Sequence, residues 1–278
     1  MKTLSVFTGG IGDGLLAGPA FAYLHEQGPL DLAGNPERLA LIHASDACEA
    51  IQDLDRLEFH SLFEHPSPGL RDFIQRYDRV IVWMRDDGSI EIALRKIGVP
   101  NIQVHPGIPP DDWTFHASEY YLHCIGAEAN RSPLRIAQRE RGPSTQQKYD
   151  VIIHPGSGSP QKNWPIENFG AIAEHLQREG RRITWTRGPA EEELRYPANA
   201  EITEIETLTD LAQNLASARL YIGNDSGITH LAAAVDCRTV AIFGPTDPAI
   251  WAPRGQHVQV VSGTPWPACE AVKKVLPS

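Results

Sequence analysis

Long apolar runs are missing from this 278-residue sequence: no stretch approaches the roughly 20 apolar residues that a membrane-spanning helix needs, so no integral membrane segment is expected. Residues 1–8 are apolar only briefly before Gly9-Gly10 interrupts them, too short for a secretory signal, and the protein is expected to be cytoplasmic. Cysteine is scarce and scattered. Cys48, Cys124, Cys237 and Cys269 form no CxxC pair, which excludes a zinc framework and a disulfide scaffold and leaves reduced thiols as the expectation. Basic residues are also in short supply, with 25 Lys+Arg against 35 Asp+Glu and a formal net charge of −10. No basic face large enough to neutralise a phosphate backbone is visible, so a nucleic-acid partner is not expected. The acid excess lies mainly in the first half: residues 1–145 carry 13 bases against 20 acids, and the remainder 12 against 15.

Several catalytic signatures are absent too. There is no GxxxxGK[ST] P-loop and no GxSxG nucleophile elbow. The turn Thr8-Gly9-Gly10-Ile11-Gly12-Asp13-Gly14 half fits a dinucleotide fingerprint, but Leu15 stands where the third glycine belongs, which argues against a nicotinamide oxidoreductase.

What is present is alternation. In the second half, residues 149–153, 183–186, 220–222 and 239–243 read as short strands, and residues 166–178, 208–216 and 229–235 as helices between them. Phe169, Ile172, Ala173 and Leu176 fall at helical spacing with Gly180 at the C-terminal cap. The first half shows the same habit, with strands expected at residues 4–8, 39–42 and 80–83 and a helix at 15–26. Strand-helix alternation implies α/β architecture with parallel sheets, here as two Rossmann-like domains. The polar, Gly-Pro-containing stretch at residues 139–148 reads as the linker, giving domains 1–145 and 146–278. A length of 278 residues suits two compact units.

Five segments are candidates for the functional site. Gly12 and Asp13 follow the first strand, where ligands of open α/β sheets bind; Asp13 is placed either as a general base or as a cap on the following helix. In His154-Pro155-Gly156-Ser157-Gly158-Ser159-Pro160-Gln161-Lys162-Asn163-Trp164-Pro165 a strand empties into a Gly/Ser loop, then a lysine, then a proline suited to a first helical turn. Ser157, Gly158 and Lys162 are candidates there for binding a diphosphate. In Asn224-Asp225-Ser226-Gly227-Ile228-Thr229-His230 a second strand runs into a helix N-terminus, and the backbone N–H groups of Ser226 and Gly227, with the Ser226 hydroxyl, would meet another anionic oxygen. Asp225 and His230 belong to this group; a packed core position is the competing reading of His230. Between these loops, Gly188 and the carboxylate of Glu191 or Glu192 follow a strand, where ribose hydroxyls would be held. A strand, turn and short helix at residues 242–253 are expected to line the same crevice.

The motif pair His154-Pro155-Gly156-Ser157 through Lys162-Asn163-Trp164-Pro165, and Asn224-Asp225-Ser226-Gly227 through His230 to Phe243-Gly244-Pro245-Thr246, resembles the nucleotide-binding loops of glycosyltransferase family 9, the ADP-heptose:lipopolysaccharide heptosyltransferases. Gly12-Asp13, with Pro19 following, is similar to that family's opening motif. The resemblance implies a GT-B architecture, two Rossmann-like domains with parallel sheets facing across a cleft, the first binding acceptor and the second the nucleotide sugar. It implies an inverting, metal-independent transfer of a sugar, heptose from ADP-heptose, to a saccharide acceptor, as in lipopolysaccharide or other surface-glycan synthesis. No cofactor or metal is expected, and membrane contact is expected to be at most peripheral, at the inner face of the cytoplasmic membrane. Asp13 would be the base, Lys162 and the Ser226-Gly227 amides would stabilise the leaving diphosphate, and Glu191 or Glu192 would hold the ribose. Against the family pattern, the expected acceptor domain is acidic, and its stretch Phe59-His60-Ser61-Leu62-Phe63 carries no basic cluster, which points toward a neutral saccharide or a protein side chain. The alternatives are another GT-B nucleotide-sugar enzyme, such as a 2-epimerase, and a nucleotide-sugar-binding protein without catalysis.

Overall fold

The computed structural model describes residues 1–136, 148–188 and 194–277. The chain divides into two compact units, Met1–Leu134 and Arg135–Ser278. Most of the expected linker at residues 139–148 lies outside the described residues.

Unit 1 runs β1 (Thr3–Phe7), α1 (Ile11–Glu26), β2 (Leu30–Gly34), α2 (Pro36–His43), β3 (Ala50–Asp53), α3 (Pro68–Ile74), β4 (Arg79–Trp83), α4 (Ser89–Ile97), β5 (Asn101–His105) and α5 (Ala117–Cys124). Its five strands are all parallel, in the order β3-β2-β1-β4-β5. Crossover helices cover both faces, so β1, β2 and β4 are buried at every position and read as apolar runs. The expected strand at residues 39–42 is instead the end of α2. The Asn35 side chain accepts from the Arg38 N–H at 3.1 Å and Pro36 opens the first turn, so Leu39, Leu41 and Ile42 are the buried stripe of a helix. The strand of this region is β2, whose apolar run is broken by Asp31; that carboxylate is buried and accepts from the Tyr77 hydroxyl at 2.7 Å.

Unit 2 runs β6 (Tyr149–His154), α6 (Ile166–Arg178), β7 (Ile183–Arg187), β8 (Glu201–Glu204), α7 (Leu208–Ala216), β9 (Ala218–Asn224), α8 (Gly227–Ala234), β10 (Thr239–Phe243), α9 (Pro248–Trp251), β11 (Val258–Ser262) and α10 (Cys269–Lys273). The sheet is again wholly parallel, ordered β11-β10-β9-β6-β7-β8. One core joins Val151, Ile153, Ile222 and Ile242 of the central strands to Phe169, Ile172 and Leu176 of α6. Two parallel, doubly wound sheets bear out the α/β expectation. Among the described residues no helix is long and apolar enough to cross a membrane. All four cysteines are free thiols, and burial pushes those of Cys48 and Cys237 up to about 12.

Candidate functional site

In unit 2 the first strand in sequence, β6, lies beside β9, and the chain winds outward in opposite directions from this pair. At such a reversal the loops leaving the two neighbouring strands part, and a crevice opens at their carboxyl ends. The loops in question are residues 155–165 and the Asp225-Ser226 turn, the two Gly/Ser segments singled out from the sequence. The topology therefore brings together what lies some 60 residues apart in the chain.

Asn224 ties the two loops. It is fully buried, its Oδ1 accepts from the Trp164 N–H at 2.9 Å and its Nδ2 donates to the Pro155 carbonyl at 2.6 Å. One side chain thus clamps both ends of the loop after β6. The indole of Trp164, itself buried, donates from Nε1 to the Pro267 carbonyl at 3.1 Å and packs edge-on against Phe169. Ser157 is likewise interior to the loop: its hydroxyl lies 2.7 Å from both the Ser159 carbonyl and Asn163 Oδ1. It shapes the loop rather than projecting from it, whereas Gly158 is open to solvent with nothing near the position of a Cβ. Asn224→Ala leaves buried donors and acceptors unpaired at two points, and is expected to cost roughly 2 to 4 kcal/mol in a denaturant melt.

Lys162 ends a short 3₁₀ turn, Pro160–Lys162, and its ammonium sits 2.8 Å from Asp225 Oδ2. That oxygen also accepts from the Thr246 hydroxyl at 2.8 Å, so Asp225 joins the loops after β6, β9 and β10. The carboxylate is buried and the lysine side chain about one-third exposed. Directly after Asp225 begins α8. Ser226 is its N-cap, with Oγ accepting from the Thr229 N–H at 3.3 Å. Thr229 gives its hydroxyl proton to the Asn224 carbonyl, so the Tyr221 and Ser226 hydroxyls, each at 3.1 Å, donate to Thr229 Oγ1. The Ser226 hydroxyl is therefore engaged within the turn. The orphan N–H groups of the first turn, at half-buried Gly227 and Ile228, remain the donors at the helix mouth. His230 is buried in α8.

His154, the last residue of β6, is also buried, with Nδ1 3.2 Å from Thr186 Oγ1, and burial pushes its pKa down to about 4. The folded protein thus resists a proton that the unfolded chain takes up near pH 6.5. Stability contributed by neutral His154 is whole above pH 6.5 and is lost as pH falls toward 4, by about 3 kcal/mol at the lower end. His154→Gln is expected to flatten the pH dependence of stability in that window; an unchanged slope would contradict this.

Gly188 is buried directly after β7. Glu191 and Glu192 lie outside the described residues. In unit 1, Gly12 and Asp13 stand in the first turn of α1, after β1, which neighbours β4 at that sheet's own reversal. Asp13 Oδ2 accepts from the Gly10 N–H at 2.9 Å, so its carboxylate satisfies the backbone donor of the N-cap of α1. The turn tolerates no side chain at Gly9, where a Cβ would stand 2.6 Å from the Phe7 ring and 3.0 Å from Asp13 Cβ. Arg38 Nη1 donates to the Gly9 carbonyl at 3.1 Å, bracing the same turn from α2. The residues not singled out from the sequence are Asn224, Thr229 and Thr246, all inside the motif stretches but distinguished only by contacts with distant parts of the chain.

A family model described as Glycosyltransferase family 9 (heptosyltransferase) matches residues 115–276. Lipopolysaccharide heptosyltransferase 1 of Pseudomonas aeruginosa is 33% identical over 179 residues, covering 59% of this chain and 50% of that protein. The chain thus spans half the length of that curated relative, and 39% of the Escherichia coli K12 protein of the same name, to which it is 30% identical over 124 residues. Among solved structures, a glycosyl transferase family 9 protein from Veillonella parvula superposes with a TM-score of 0.75 at 19% identity, over 98% of this chain and 90% of that one. An E. coli heptosyltransferase solved with ADP gives a TM-score of 0.71 at 20% identity, over 99% and 98%.

Proposed function

This chain belongs to glycosyltransferase family 9 and has the GT-B fold of its structural neighbours, and from that premise we propose that it transfers a sugar from a nucleoside diphosphate to a saccharide acceptor, with ADP-heptose as donor. The observation that carries the reading is the convergence, at the carboxyl ends of β6, β9 and β10, of Lys162, Asp225 and Thr246 beside the N-terminus of α8. A lysine and a helix mouth side by side are complementary to a diphosphate. The choice of ADP is supported by the E. coli relative whose structure holds ADP.

In the proposed reaction the diphosphate lies against the Gly227 and Ile228 N–H groups and Lys162. Lys162 is held at the mouth of the site by Asp225, a positioning residue that Thr246 fixes in turn. As the bond from the anomeric carbon to the phosphate oxygen breaks, its electron pair leaves with the diphosphate, and these donors stabilise the added charge. Asp13 of unit 1 takes the proton of the acceptor hydroxyl, whose oxygen forms the new bond to the anomeric carbon from the opposite face, so the configuration inverts. No metal is assigned a part in this scheme. Gly188 and Glu191 or Glu192 are proposed to border the ribose, and His154 and His230 to pack beneath the loops.

The test is release of ADP from ADP-heptose in the presence of a neutral saccharide acceptor, in buffer with EDTA, with the anomeric configuration of the product read by NMR. An inverted glycoside and one ADP per transfer are expected. Retention of configuration, or ADP release that no acceptor stimulates, would overturn the scheme.

A further inference from the structure

At the opposite, amino-terminal edge of unit 2's sheet lies a depression of about 310 Å³ that the proposed reaction does not use. Arg181, Arg219 and Arg238 line it, with Asp150 as the one carboxylate among the described residues of its lining and Leu176 and Leu220 among its apolar walls. The register explains the gathering. Tyr149 pairs with Ala218 and Val151 with Leu220, so Asp150 lies beside Arg219; Tyr221 pairs with Thr239, so Arg238 lies beside Leu220. Asp150 is already engaged at both oxygens, by Arg219 Nε at 3.5 Å and by the Arg182 N–H at 3.3 Å. The guanidiniums of Arg181 and Arg238 have no ion-pair partner among the described residues, in a protein whose net charge is −10.

Three arginines against one occupied carboxylate leave the pocket lining with an excess of positive charge, the Arg219 side chain being about half exposed to solvent. Guanidinium forks match the oxygens of phosphate, singly or in pairs. The volume lies at the lower end of ligand pockets, enough for a phosphate group and part of what carries it. We propose that this pocket binds a phosphate-bearing anion, at a site separated from the loops after β6 and β9 by the length of the sheet, about 17 Å along six-residue β6. The carrier is either a soluble phosphate compound or the headgroup of an anionic lipid.

The full-length protein is titrated with inorganic phosphate at constant ionic strength and followed by melting temperature, and separately sedimented with vesicles of phosphatidylglycerol or of phosphatidylcholine. The expected result is phosphate-dependent stabilisation that Lys162→Ala retains and that Arg219→Gln/Arg238→Gln weakens by about tenfold or more in apparent affinity, the size of one lost charge-assisted contact. Asp150→Asn, which removes the competing carboxylate but keeps an acceptor for the Arg182 N–H, is expected to tighten binding severalfold. Sedimentation with phosphatidylglycerol alone, abolished in the double variant, would assign the lipid source; a phosphate response without sedimentation would assign the soluble one. The proposal is overturned if neither probe distinguishes the wild type from the double variant, or, should that variant not fold, if Asp150→Asn binds phosphate no better than wild type. These readouts use neither donor nor acceptor, so they stand apart from the fate of the transferase reading.

Discussion

Replacing Asp13 by asparagine is expected to lower kcat by roughly 10²- to 10⁴-fold, the range general-base removal produces, while leaving ADP affinity and melting temperature unchanged. The contrast rests on two roles of this side chain, one seen in the fold and one proposed. Its Oδ2 accepts from the Gly10 N–H at the start of α1, and an asparagine carboxamide oxygen can accept the same bond. It cannot take a proton from an acceptor hydroxyl. Asp13→Ala removes the cap as well and is expected to destabilise the protein by about 1 kcal/mol in addition to abolishing transfer. Steady-state rates, ADP calorimetry and thermal melts on both variants separate the roles; turnover near wild type in the asparagine variant would leave Asp13 as a helix cap alone.

The second large effect is expected at Lys162. Lys162→Ala should lower kcat/KM for the donor by roughly 10²- to 10³-fold and weaken ADP binding by at least about tenfold, because the ammonium is proposed to stabilise both the bound diphosphate and the charge that grows on it. The same change strips a buried carboxylate of its cation at 2.8 Å, so a stability loss of about 1 to 2 kcal/mol accompanies it, tempered because the lysine is partly exposed and the Thr246 hydroxyl remains on Asp225. Asp225→Asn separates the two effects. It keeps acceptor capacity toward Lys162 and Thr246 without the charge, so it should reduce ADP affinity less than Lys162→Ala does. The double variant should then bind ADP no worse than Lys162→Ala alone, the non-additivity expected of residues acting as one unit. Simple additivity in the cycle would show that Asp225 acts independently of Lys162.

The second half of the fold was legible in the sequence because parallel strands buried on both faces are short apolar runs set between capped amphipathic helices: residues 149–153, 220–222 and 239–243 lie within β6, β9 and β10. The first half was less so. A four-residue apolar run such as residues 39–42 has no period of its own, and only the Asn35-Pro36 start signal upstream marks it as helix. The true neighbouring strand, β2, was obscured by Asp31, whose buried carboxylate is held by the Lys2 ammonium and the Tyr77 hydroxyl, the latter 46 residues away. At the site, loop chemistry pointed to the anion-facing turns, since Gly, Ser and a lysine between strand and helix form a pattern visible in one dimension. What the turns do to one another is not. The Asn224 clamp and the Lys162–Asp225–Thr246 chain depend on β6 lying beside β9 and β10 beyond it, an order that spacing alone does not specify.

Calorimetric titration of the wild type and Lys162→Ala with ADP, UDP, GDP and CMP, in EDTA, tests the central claim most directly, because the proposed reaction requires the donor's nucleoside diphosphate portion to be held at the β6 and β9 loops. The account predicts that ADP binds the wild type in preference to the others and that Lys162→Ala loses at least about tenfold of that affinity; preference for another nucleotide, or ADP binding unaffected by Lys162→Ala, would contradict it.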